Sequence, residues 1–166
     1  MDRMRVMTFN IRAAFISAEI DGVNIWQNRA GLNVATIFLH FNTHLDHVSE
    51  LARAEGAKLI LREAHRLRSD GIPVMITGGF NCNPGSPVHR LFLESGFADT
   101  YLAAGHEDTE ASHTFHAFEG ERYSAADHSM AGRIDWIMTR DGTKTIRTQA
   151  CFIARDEEPP LYPSDH

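Results

Sequence analysis

The chain has 166 residues, 43% of them apolar and 23% charged, and a net charge of −6 when its ten histidines are counted neutral. That length supports one domain with a real core, and the composition excludes a disordered chain. The acidic balance argues against a generally basic nucleic-acid surface, and two distant cysteines, Cys82 and Cys151, argue against a disulfide framework.

In chain order, the opening MDRMRVMTFN holds no apolar run of signal-peptide or membrane-spanning length, so a reducing, cytoplasmic setting without a transmembrane segment is expected. Met4 to Arg12 alternates, with Met7, Phe9 and Ile11 on one face, and predicts a strand. Val34 to Leu45 alternates more cleanly and predicts a second. Asp46 to Asp70 repeats Leu51, Ala54, Ala57, Ile60, Leu61, Ala64 and Leu67 at helical spacing, with Asp46 or Ser49 to cap its start and Gly71 to end it. Pro73 to Thr77 reads as a short buried strand that stops at two glycines. Val88 to Ser95 predicts a short helix closed by Gly96. Arg133 to Arg140 and Thr145 to Ala154 predict a hairpin across Asp141-Gly142. Mixed strands and helices make the class α/β or α+β.

Polar residues collect where these strands end: TFNIR, FNTHLDH, GGFN, GRIDWIM and, at the terminus, PSDH. Asn, His and Asp in such places suit phosphoester chemistry. Carboxylates and amides hold Mg2+, a hard ion that prefers oxygen, and His or Asp positions water and the leaving group. Each stretch alone has a plain structural reading. Asn10 can satisfy a backbone group, His44 can be a half-buried surface histidine, Asp135 can be an exposed strand carboxylate, and SDH can be a frayed tail.

The ordered set resembles the endonuclease/exonuclease/phosphatase superfamily, the DNase I-like fold. Its members open with a strand ending in Asn, here VMTFNIR, and continue with Asn-Thr-His-Leu-Asp, here Asn42 to Asp46. Gly-Asp-Phe-Asn, Arg-Ile-Asp-Trp/Tyr and Ser-Asp-His follow, and GRIDWIM and YPSDH match the last two. The resemblance implies a four-layer α/β sandwich and Mg2+- or Mn2+-dependent cleavage of phosphoesters. By the same resemblance, Asn10 and Asp165 serve the metal and its water shell, and His44 contacts the scissile phosphate. Asn81 orients phosphate or nucleophile. Asp135 pairs with His166, the central acid/base. HTFHAFEG resembles a substrate-side loop, which makes His113, Thr114 and His116 substrate-binding residues.

Three departures from the pattern stand out. Gly79 occupies the place of the motif's Asp. No Gln-Glu metal-ligand motif lies between Trp26 and Val34, so one domain over 1–166 is expected to lack a segment near residue 33. By the same resemblance a final core strand would follow Ser-Asp-His, so over 1–166 the sandwich is expected to be incomplete and the metal weakly bound. Homodimerisation would then cover the exposed sheet edges. Two further readings differ in class. One is a catalytically impaired pseudoenzyme or fragment that binds a phosphorylated ligand or partner. The other is a Zn2+ site of His40, His44, His47, His113 and His116. The substrate is left open among small phosphoesters, lipid headgroups and nucleic acid.

Overall fold

The computed structural model describes residues 38–67, 71–120, 123, 132–142, 145–155 and 162–166, all within one compact unit, Phe38–His166. The predicted strand at Met4–Arg12, Asn10 and the segment near residue 33 lie outside the described residues.

Strand β1 (Leu39–His44) leads into helix α1 (Glu50–Leu67), strand β2 (Val74–Gly79) and helix α2 (Pro87–Glu94). A two-residue strand β3 (Ala98–Asp99), a single-turn helix α3 (Thr100–Ala103) and a 3-10 turn at Glu110–Ser112 follow, and β4 (Asp135–Arg140) completes the set. The strands form one sheet in the order β1-β2-β4-β3, with β1 and β2 parallel and the other pairs antiparallel. The fold is thus α/β.

Alternation sets the two faces of this sheet. Leu39, Phe41, Val74, Ile76, Trp136 and Met138 pack with Ala57 and Ala64 of α1 and with Val88 and Phe92 of α2. Phe80 stacks on Trp136 with ring centroids 4.4 Å apart and meets Phe92 edge-on at 5.4 Å. Burying one such large apolar side chain contributes about 1.5–3 kcal/mol. The opposite face carries the polar partners: His40 and Asn42 of β1 both hydrogen-bond Thr77 Oγ1 of β2, at 2.8 and 2.9 Å.

Helix α1 starts at Glu50 rather than at Asp46 because Asp46 and Ser49 divide the work of its entrance. Asp46 Oδ1 accepts from the Val48 and Ser49 amides, closing a turn, and Ser49 Oγ caps the amide of Ala52. Ser86 caps α2 by accepting from His89 N, with proline in the first turn.

Two expectations are corrected. Strand β2 does not stop at the glycines but runs through both, because Thr43 pairs with Gly78 and His44 with Gly79. The hairpin across Asp141-Gly142 does not form, and residues 145–155 are not a strand. Strand β4 has β2 on one side, and on the other β3 takes Met138 and Thr139, the positions next to the turn where a hairpin arm would begin to pair. Asp141 Oδ1 instead accepts from Ile146 N at 2.8 Å and turns the chain away.

Candidate active site

The ends of three strands form one row. Register places His44 opposite Gly79 and Gly79 opposite Asp135, so their side-chain positions share the face away from the helices. The two neighbouring glycines differ in kind. Gly78 has φ 131°, and a Cβ there would collide with the carbonyl oxygen of Thr43, so only glycine fits. Gly79 has no such backbone demand. A methyl carbon on it would lie 3.0 Å from His44 Nδ1 and 3.4 Å from Asp135 Oδ1.

Beyond Gly79 the chain turns at Asn81, whose φ of 52° is a left-handed conformation that asparagine tolerates. The side chain is buried, 5% exposed. Its Nδ2 donates to Leu45 O at 2.6 Å and to His44 Nε2 at 3.1 Å. A carbonyl only accepts, so that atom is the amide nitrogen, His44 Nε2 is an acceptor, and the neutral ring carries its proton on Nδ1, on the side of Gly79.

Across the row, His166 Nδ1 donates to Asp135 Oδ2 at 2.7 Å. Thr114 Oγ1 donates to the same oxygen at 2.6 Å while accepting from the amides of Ile134 and Asp135, at 3.1 and 3.2 Å. Thr114 therefore stands behind Asp135 and sets its orientation. No hydrogen bond among the described residues reaches Asp135 Oδ1. The His44 and His166 rings lie edge to face, centroids 6.5 Å apart, and Phe115 packs against His166 at 5.1 Å.

The terminal SDH is not frayed. Asp165 O accepts from His116 N and Ala117 N at 2.8 and 3.0 Å, and His166 N donates to Ser164 Oγ at 3.1 Å. Residues 117 and 118 hold positive φ, 50° and 61°, in the turn that presents these amides.

The structure thus brings together His44, Asn81, Thr114, Asp135 and His166. His113 and His116 take other places. His113 O accepts from Arg155 Nη2 at 2.8 Å, and the residue borders a cleft of about 640 Å3 lined also by Asn83, His89, Arg90 and Asp108. That cleft is lined by none of His44, Asn81, Asp135 or His166. His116 lies against the Tyr162 ring, at 5.2 Å between centroids. Among the described residues no group of three His, Cys, Asp or Glu side chains gathers to hold a metal, so the histidine set does not assemble as a zinc cluster there.

Sequence reasoning overlooked a buried network beside the row. Arg133 donates from Nη2 and Nη1 to Asp99, at 2.7 and 3.2 Å, and from Nε to Asp108 Oδ1 at 2.6 Å. His89 Nδ1 accepts from Gly85 N, so its Nε2 carries the proton and donates to Asp99 Oδ2 at 3.0 Å. Burial by itself would raise the Asp99 pKa, but the hydrogen bonds from His89 and Arg133 and the guanidinium charge outweigh it and hold it below the usual carboxylate range. Burial likewise opposes the Arg133 charge, and the bonds to Asp108 and Asp99 raise its pKa all the same. The signal in the sequence was an arginine between Gly132 and Ile134 at a strand entrance, where a charge must find a buried partner.

The α/β sheet thus carries an Asp–His pair beside the first residue of β4. The chain belongs to the Endonuclease/Exonuclease/phosphatase family, whose model matches residues 7–166 and whose members are generally metal-dependent hydrolases of phosphoesters. No curated protein matches the chain. Among solved structures it is similar to an endonuclease/exonuclease/phosphatase family protein from Bacteroides thetaiotaomicron, at 27% identity and TM-score 0.49, covering 62% of this chain and 36% of that one. A mannosyl-6-phosphatase of the same organism gives 27% identity and TM-score 0.49 over 62% of this chain and 37% of its own. The corresponding family protein of Bacteroides vulgatus gives 30% identity and TM-score 0.48 over 64% and 40%. The chain therefore spans well under half the length of these relatives.

Proposed function

We propose that the chain carries the histidine side of a phosphoesterase active site and hydrolyses a phosphodiester or phosphomonoester. The observation that supports this most is the 2.7 Å bond from His166 Nδ1 to Asp135, with Thr114 holding the carboxylate from behind. Asp135 keeps the proton of a neutral His166 on Nδ1, which leaves Nε2 as the working nitrogen. His44, turned by Asn81, presents Nδ1–H as a donor to a phosphoryl oxygen or to the nucleophile. His113 and His116 lie on loops around this row and are proposed contacts to the rest of the substrate.

A divalent cation in this family stabilises phosphoryl charge when bound. The described residues do not make a site for it: Asp165 is the one proposed ligand among them, and no cluster of three ligating side chains forms. We propose that Asp165 and Asn10, the latter outside the described residues, hold Mg2+ or Mn2+ weakly.

Hydrolysis of bis-p-nitrophenyl phosphate in the presence of Mg2+ or Mn2+ tests the reading. Asp135→Asn and His166→Ala should each lower turnover on the order of 10²–10⁴-fold. Unchanged turnover in both would remove the pair from the mechanism. The glycine at position 79, without the motif's carboxylate, favours a second reading: a chain that binds a phosphorylated ligand and does not turn it over. Saturable binding of inorganic phosphate, lost in His44→Ala, with no turnover under any cation, would select it.

A further inference from the structure

Gly79 sits between two groups of opposite hydrogen-bonding character. On one side His44 Nδ1 carries a proton, because Nε2 accepts from Asn81 Nδ2. On the other side Asp135 Oδ1 has no partner among the described residues, because the bonds from Thr114 and His166 both go to Oδ2. Both groups border the same small space: a carbon bonded to the Gly79 Cα would be 3.0 Å from one and 3.4 Å from the other. The strand pairing on both sides of Gly79 keeps the distance between them from closing.

A space with one donor wall and one acceptor wall suits a group that accepts and donates at once. A hydroxyl oxygen does both. A carboxylate or a phosphate oxygen accepts from His44 but meets the Asp135 carboxylate with like charge. An ammonium donates to Asp135 but cannot accept from His44.

We propose that the notch over Gly79 is a binding site for a hydroxyl oxygen, held by His44 Nδ1–H and Asp135 Oδ1, and that its occupant is the nucleophilic water. This rests on the phosphoesterase reading and gives Asp135 a second duty, that of the carboxylate absent at position 79. The water oxygen forms a bond to phosphorus as its proton passes to Asp135 Oδ1. The bond from phosphorus to the leaving oxygen breaks, and that oxygen departs with the electron pair and takes a proton from solvent. Asp135 then returns its proton to solvent.

Two measurements on the full chain decide this. A high-resolution crystal structure of the unsubstituted protein should show an ordered solvent oxygen within hydrogen-bond reach of His44 Nδ1 and Asp135 Oδ1. Gly79→Ala places a methyl in the notch, and because its neighbours are the tips of partly exposed side chains the fold should persist, as circular dichroism would verify. Its kcat on bis-p-nitrophenyl phosphate should fall on the order of 10²-fold or more, with KM and inorganic-phosphate affinity unchanged. Turnover in Gly79→Ala equal to that of the unsubstituted chain, or no ordered oxygen in the notch, overturns the proposal while leaving the phosphoesterase reading in place. An ordered oxygen in a protein without any turnover ends the phosphoesterase reading and overturns the assignment of that oxygen as the nucleophile.

Discussion

His89 and Asp99 make almost the same contact as His166 and Asp135, yet the two pairs are built for different ends. The first is closed at 3.0 Å with side chains 3% and 1% exposed, and the second at 2.7 Å with side chains 27% and 33% exposed. Around Asp99, Arg133 fills the remaining acceptor sites, so neither carboxylate oxygen is left for a ligand. Around Asp135, Thr114 and His166 crowd onto Oδ2, leaving Oδ1 turned to the row. An Asp–His contact therefore takes its character from what surrounds it: a buried cation makes it a clamp, and partial exposure at a strand end leaves it accessible.

The largest difference between the two pairs should appear on losing a partner. Arg133→Met leaves Asp99 buried without its cation, and the expected loss is about 3–5 kcal/mol. Asp135→Asn, at a partly exposed carboxylate, should change stability by less than about 1 kcal/mol. Urea unfolding of both variants checks this, and equal losses would break the comparison.

A pH series sharpens it. The Asp99 pKa is held below its unfolded value, so the stability it contributes is complete above the ordinary carboxylate range. That contribution is lost as pH falls through the depressed folded value. In urea midpoints measured across acid pH, the Asp99→Asn variant should lack this component, and the gap between it and the unsubstituted protein should narrow as pH falls.

An effect smaller than that of Arg133→Met is expected at Thr114. Thr114→Val keeps the shape but removes the hydroxyl that donates to Asp135 Oδ2 and accepts two amides, costing about 1–2 kcal/mol. It should also lower turnover about tenfold without altering inorganic-phosphate affinity if the hydroxyl acts by orienting Asp135, to which it donates at 2.6 Å. A change in phosphate affinity alone would make Thr114 a substrate contact instead.

Much of the row was legible before any coordinate. His44, Asn81 and Asp135 stand at or near strand ends, and His166 at the terminus, in an order that resembles the family, and period-two alternation already put Asp135 on the face away from Ile134 and Trp136. Helix α1 was legible from its apolar repeat, though not its start, because Asp46 and Ser49 are both sound caps and only the amides they meet decide between them. The hairpin at Asp141-Gly142 was misread for a different reason. A turn signal is local, whereas a free ladder edge depends on strands far away in the chain.

What the sequence alone determined was the inventory: which polar side chains exist, on which strands, and that position 79 has no carboxylate. Tertiary structure decided the rest, because strand register joins residues tens of positions apart. Only pairing with Thr43 makes Gly78 obligatory, and only the pairing of Gly79 with both His44 and Asp135 turns a missing side chain into a space between a donor and an acceptor. Arg133 likewise becomes a buried clamp only where Asp99 and Asp108 converge on it. A charge can leave water there because its partners replace the hydrogen bonds it gives up.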